Sequence, residues 1–294
     1  MKKTIILSLI LSLGMFLLVG CGSDTEQPKN ENGATTEAQG AENTGATEAE
    51  GENIAKIKEK GELVLATCAD YPPFEWHMNV DGKDTIVGFD IAIAQEIADE
   101  LGVELVIKDL DFESVIPSLT TNQADIAIAG LVPSPEREKI VNFSQPYFKN
   151  GQVVVVNKAD ADKYKTTEDF AGKKIGAQTG STQEEIVREN FPKDIEILSL
   201  SKINNLIMEV KNKTADGVVM IDNSAEQYVA QNDDIVMLDV GIPDEQGTCI
   251  ATAKDKQDLT DFVNKKLQQL MDEGKVEEYV SHYNALISES NAGN

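Results

Sequence analysis

Three short clusters hold the residue types that could grip a small polar molecule. They are Asp70-Tyr71-Pro72-Pro73-Phe74-Glu75-Trp76, Gly130-Leu131-Val132-Pro133-Ser134-Pro135-Glu136-Arg137 and Gln178-Thr179-Gly180-Ser181-Thr182. In the first, prolines stiffen the chain so that Tyr71 can present a fixed aromatic face; the same ring could equally pack on its own lobe. In the second, Gly130 lets a ligand approach the backbone closely. Arg137 falls in the first turn of a helix, where a cation opposes the helix dipole. A guanidinium there suits a two-pronged grip on a carboxylate, and a surface arginine paired with a nearby acid is the other reading. In the third, backbone N–H groups at a helix start, with the hydroxyls of Ser181 and Thr182, make an anion site; ordinary helix capping explains the same residues. This chemistry recognises rather than transforms. The chain has two histidines, His77 and His282, no HExxH or CxxC spacing, no GxSxG elbow and no phosphate loop. No metal and no cofactor is expected.

The elements that must position these clusters alternate. Strands are predicted at 62–67, 103–107, 125–129, 153–156, 174–177, 195–198, 216–220, 235–238 and 248–253. Between them, residues 89, 93, 94, 97, 98 and 101 are apolar at helical spacing. Further helices are predicted at 114–120, 203–210, 223–230, 258–271 and 276–286. A short one opens at Ser134-Pro135, a capping residue followed by a proline at the first helical position. Another opens at Ser181-Thr-Gln-Glu184, which reads as a capping box. Such alternation predicts an α/β chain with mainly parallel sheets. Two successive sets predict two lobes, expected at 54–150 plus 247–288 and at 151–246. Ligands of open α/β sheets sit beyond the carboxyl ends of strands, and that is where the three clusters fall.

The ends differ from this body. Lys2 and Lys3 precede an apolar run from Ile5 to Val19 that ends in Leu18-Val19-Gly20-Cys21. A run of that length and flank predicts a signal peptide over 1–20. Small residues before a cysteine predict lipidation at Cys21, and two or more acyl chains hold a protein stably on a bilayer. Residues 22–53 carry almost no large apolar side chain and cannot offset their own chain entropy; they read as a flexible acidic tether. The formal charge of −25 and the lack of a basic patch make nucleic acid an unexpected partner. Cys68 and Cys249 could pair in an oxidising compartment, or each could be a small buried residue.

DYPPFEW, GFDIAIAQEIADELG, DFESVIPSLTTNQADIAIAG, SPERE and FSQPYF stand in an order and spacing that resembles the family-3 extracellular solute-binding proteins, which serve amino-acid ABC importers. The resemblance spans about residues 54–286 and implies a two-lobed periplasmic-binding-protein-like fold, two α/β lobes joined by two hinge strands near Gly151–Val156 and Asp239–Cys249. It implies that Tyr71 stacks on the ligand and that Phe112 forms a wall opposite. It implies backbone contacts from Gly130 and Val132, a carboxylate grip from Arg137 with Thr182 as partner, and tuning of side-chain recognition by Gln178. Four positions depart from the family pattern. Ala92 replaces an acid, and Cys68 replaces a common Asp or Ser. Val132 replaces Ser or Thr. Ile221 occupies the place of the acid that holds the ligand's ammonium, with Asp222 one residue on. A one-residue shift reverses the face of a strand, so either a bulge turns Asp222 inward or the ammonium is held otherwise.

The expected function follows from that resemblance: a lipid-anchored, monomeric receptor on the outer face of the cell membrane. It closes two lobes over a small polar molecule, an amino acid, and delivers it to an ABC permease and its ATPase. Cys68 and Gln178 bring no charge to the side-chain end, which favours a neutral polar or sulfur-containing ligand over lysine or arginine. Two alternatives use the same fold: a ligand-binding partner of a membrane sensor, and a secreted cyclohexadienyl-type dehydratase. The latter requires a poised acid or base, and Asp70, Glu75, Glu113 and Asp222 are the acids near enough by sequence.

Overall fold

The computed structural model describes residues 51–292. The signal segment 1–20, the lipidation site Cys21 and nearly all of the tether lie outside them. The first described helix, α1 (Glu52–Lys60), begins inside the stretch read as tether. Its start is fastened by Asp258, whose carboxylate accepts from the Asn53 backbone N–H and side-chain amide, both at 2.8 Å.

The chain then forms β1 (Glu62–Thr67), β2 (Asp70–Tyr71), β3 (Glu75–Val80), β4 (Lys83–Val87), α2 (Phe89–Leu101), β5 (Glu104–Asp109), α3 (Phe112–Thr120), β6 (Ile126–Ala127), α4 (Pro135–Glu138) and β7 (Val141–Phe143). All six apolar positions predicted for α2 are buried in it. The hairpin β2–β3–β4 is not among the strands predicted from sequence. Asp81 and Gly82, both at positive φ, make its turn, the Asp-Gly pairing that two-residue hairpins prefer. Gly88 links the hairpin to α2 at φ 143°, and a Cβ there would lie 1.9 Å from the Phe74 carbonyl oxygen. No other residue fits that junction.

The second set comprises β8 (Gln152–Asn157), β9 (Lys174–Gln178), α5 (Thr182–Asn190), β10 (Glu196–Leu200), α6 (Ile203–Lys211), β11 (Gly217–Ile221), α7 (Asp222–Ala230) and β12 (Ile235–Leu238). The chain returns through β13 (Ala251–Ala253), then α8 (Gln257–Asp272) and α9 (Lys275–Ala292). Two five-stranded sheets result, ordered β5-β1-β6-β13-β7 and β10-β9-β11-β8-β12. Their first three strands run parallel, as alternation requires. β13 lies antiparallel to β6 and β7, and β8 antiparallel to β11 and β12. So the chain crosses from one sheet to the other just before β8 and comes back after β12. Both remaining cysteines are buried free thiols.

Candidate functional site

The carboxyl ends of β1, β6, β9 and β11 meet between the two sheets and enclose a cavity. Cys68, Tyr71, Phe112, Gly130 and Gln178 line it, with Asp70, Glu75, Ala129, Gln183 and Ile221. Five of the expected site residues are thus brought together. Four more, Val132, Arg137, Ser181 and Thr182, are buried but do not line it. Val132 gives its carbonyl oxygen to the Arg137 guanidinium at 2.6 Å. Arg137 is 9% exposed, 5.6 Å from the Phe112 ring centroid, and donates across the cleft to the Gly180 carbonyl at 2.9 Å. α4 is positioned as expected, for Ser134 accepts from the Arg137 backbone N–H.

The predicted capping box at 181–184 does not form. The Ser181 hydroxyl caps nothing and is buried without a partner among the described residues. Glu184 instead accepts from the Gly180 N–H at 3.0 Å and from the Ser199 hydroxyl. The Ser181 hydroxyl is thus left without a partner among the described residues, while the Thr182 side chain hydrogen-bonds Glu245.

Asp222 does not line the cavity. Its carboxylate accepts from the Gly151 N–H at 3.1 Å and the Asn223 N–H at 2.7 Å. No bulge turns it inward: β11 runs regularly to Ile221, and α7 starts at Asp222. The first turn of a helix and the crossing strand supply the N–H groups that hold it. Ile221, 1% exposed, is the residue that faces the cavity.

The side-chain end of the cavity is acidic, although neither Cys68 nor Gln178 carries charge. Asp70 is 5% exposed and accepts from the Ile203 N–H at 2.9 Å, from Gln178 at 3.4 Å and from the Cys68 thiol at 3.3 Å. Burial raises its pKa. Glu75 is 1% exposed, and its Oε2 has no hydrogen-bond partner among the described residues. Burial, then the neighbouring Asp90, lift the Glu75 carboxyl well above the usual carboxylate range. Asp90 accepts from the Gly130 N–H at 3.0 Å and the Tyr147 hydroxyl at 2.7 Å. It is pushed up to about 6 by its burial, with Glu75 as a side-chain hydrogen-bond partner. A carboxyl oxygen left bare in a buried wall is costly unless a donor reaches it. Sequence reasoning considered Asp70 and Glu75 only as acids for an enzyme. The hairpin was the missing signal, because it sets Glu75 directly opposite Tyr71 and turns both toward the cleft.

The two lobes are bound to each other around this cavity by the protein's own groups. The Ile221 N–H donates to the Tyr71 hydroxyl at 2.8 Å, and the Ser224 hydroxyl to the Pro72 carbonyl at 2.6 Å. The Tyr228 hydroxyl donates to the Asp70 carbonyl at 2.8 Å. Lys202 reaches the Leu110 carbonyl at 3.3 Å and lies within 4 Å of Asp109 and Asp111.

The sequence profile of the bacterial extracellular solute-binding proteins, family 3, matches residues 63–285. The chain belongs to that family. The arginine-binding extracellular protein ArtP of Bacillus subtilis is 35% identical over 221 residues, 74% of this chain and 84% of ArtP. Among solved structures, an amino acid ABC transporter substrate-binding protein of Streptococcus pneumoniae bound to L-arginine is 37% identical, with a TM-score of 0.76, covering 79% of this chain and 98% of that one. The ancestral amino-acid-binding protein AncCDT-1, a precursor of cyclohexadienyl dehydratase, is 31% identical with a TM-score of 0.72, covering 78% and 98%. These likenesses extend across both sheets, and the two-lobed α/β fold expected from sequence is the fold observed.

Proposed function

We propose that this family-3 solute-binding protein captures a cationic amino acid, L-arginine or a close analogue, between its lobes and presents it to an ABC importer. The observation that carries the reading is the bare Glu75 carboxyl oxygen in the cavity wall beside Asp70. A guanidinium offers five donors in a rigid fork that matches carboxylates. At the opposite end, Arg137 and the hydroxyls of Ser181 and Thr182 are the donors for the ligand's carboxylate, while Tyr71 and Phe112 flank its aliphatic stem. The arginine-binding relatives support this assignment. The neutral ligand expected from Cys68 and Gln178 gives way to it, because Gln178 donates to an acid instead of presenting a neutral wall.

The same relatives favour a binder over an enzyme. Lipid anchoring at Cys21 and location on the outer face of the membrane remain part of the proposal, resting on the sequence pattern at 5–21. Roles as monomer and as partner of a permease and ATPase rest on the family.

Calorimetric titration with L-arginine, L-glutamine and L-glutamate tests the ligand. L-Arginine is expected to bind most tightly, and tighter binding of L-glutamine than of L-arginine overturns the reading. The pH dependence gives a second check. Burial lifts the Asp90 carboxyl to about 6 and the Glu75 carboxyl well above the usual carboxylate range, and a ligand cation favours the ionised pair. Affinity for L-arginine therefore falls as pH drops through the range in which this pair takes up protons, and binding within that range releases a proton. Titrations in two buffers of different ionisation enthalpy read that proton directly.

A further inference from the structure

The α-ammonium of an amino acid needs a counter-charge once the cleft has closed over it, because a buried, unpaired cation is costly. The end of β11 supplies none: Ile221 faces the cavity with an apolar side chain, and the Asp222 carboxylate is engaged by the Gly151 and Asn223 N–H groups. The ammonium of a bound amino acid lies one bond from the carbon that bears its carboxylate. The missing acid must therefore stand close to Arg137 and Thr182. Two carboxylates act on Arg137, those of Glu185 and Glu245. Glu185 is exposed on α5. Glu245 is half-buried on the returning crossover and accepts from the Thr182 side chain and from the Gln152 amide. Gln152 is the residue directly across from Ile221 in the β8–β11 pairing, and it accepts in turn from the cavity-lining Gln183 at 3.2 Å.

We infer that Glu245, on the second hinge segment, is the residue that receives the ligand's α-ammonium, in place of a carboxylate at the end of β11. Two neutral partners, Thr182 and Gln152, hold it, and the charge of Arg137 attracts it. Burial nonetheless raises its pKa, with Glu185 adding to the effect, so the site gains from one more cation. The position has a consequence for specificity. An acid on the returning crossover beside the carboxylate grip reads only the α-ammonium, so a ligand without an α-amine loses this contact and keeps the others.

This inference rests on the proposed amino-acid reading and is tested by comparing L-arginine with its desamino analogue, 5-guanidinopentanoate, in the wild type and in Glu245→Gln. Wild type should prefer L-arginine. Glu245→Gln should weaken L-arginine by about tenfold or more, as expected for truncating one partner of a desolvated charge pair, and leave the analogue within about twofold. Retained binding of the analogue also shows that the variant folds and closes. Equal loss for both ligands makes Glu245 a structural hinge residue and overturns the inference. Tighter binding of L-arginine by Glu245→Gln overturns it too, because the carboxylate would then be a competitor for Arg137. If the wild type binds L-arginine no better than the analogue, Glu245 reads no ammonium. If it binds neither, the proposed function itself falls.

Discussion

Arg137→Ala is expected to weaken ligand binding by at least about thirtyfold, and by up to several thousandfold, as for removing one member of a buried charge pair, ~2–5 kcal/mol. The guanidinium is 9% exposed and rests 5.6 Å from the Phe112 ring centroid. It also holds the lobes together through Gly180. The substitution therefore removes both a donor for the ligand carboxylate and a closure contact. Arg137→Lys separates the two. An ammonium can keep a point charge near the ligand but cannot serve Val132, Gly180 and a carboxylate at once, since it lacks the planar fork. Calorimetric titration of the two variants should place Arg137→Lys between Arg137→Ala and the wild type. An unchanged affinity in Arg137→Ala would sink the assignment of this end of the cleft as the carboxylate end.

Phe74→Ala is expected to destabilise the first lobe by about 3–5 kcal/mol, the usual cost of deleting a buried phenylalanine. Phe74 is fully buried and contacts three rings, with centroids 5.7 Å from Tyr71, 4.5 Å from Phe89 and 5.9 Å from Phe148. For a body of this size, that is a fall of roughly 6–20 °C in the thermal midpoint, readable by calorimetry or circular dichroism. Phe74 is also the floor beneath the site. Its ring backs Tyr71, and its Cδ1 would lie 3.7 Å from a Cβ at Gly130. Excess ligand should recover part of the midpoint by mass action. A change under 1 kcal/mol would mean that the neighbouring rings close the gap.

Most of the scaffold was legible in the sequence because it depends on periodicity. α2 announces itself by its apolar spacing, and β8 by four consecutive valines buried on both faces. What escaped depends on geometry that the chain creates only when assembled. The hairpin from β2 to β4 has charged, exposed outer residues and little apolar alternation, so its pairing is set by the Asp81-Gly82 turn and by docking on α2. The capping-box pattern at 181–184 is a local signal overruled by tertiary contacts, since Glu184 found Gly180 and Ser199. Asp222 was one residue from a functional position, and the transition from strand to helix turned its carboxylate to the Gly151 N–H. Glu245 carries no motif at all; only the return of the second crossover beside Thr182 reveals it.

The bonds that join the lobes also bear on how fast this protein can fill. Tyr71, Ser224, Tyr228 and Lys202 tie one lobe to the other without any help from a solute, and the Glu75 wall of the cavity lies buried behind them. Capture then has two stages, an opening that belongs to the protein and an encounter that belongs to the solute. At low solute concentration the encounter sets the pace. At high concentration the pace levels off at the opening rate, and adding more solute no longer speeds uptake.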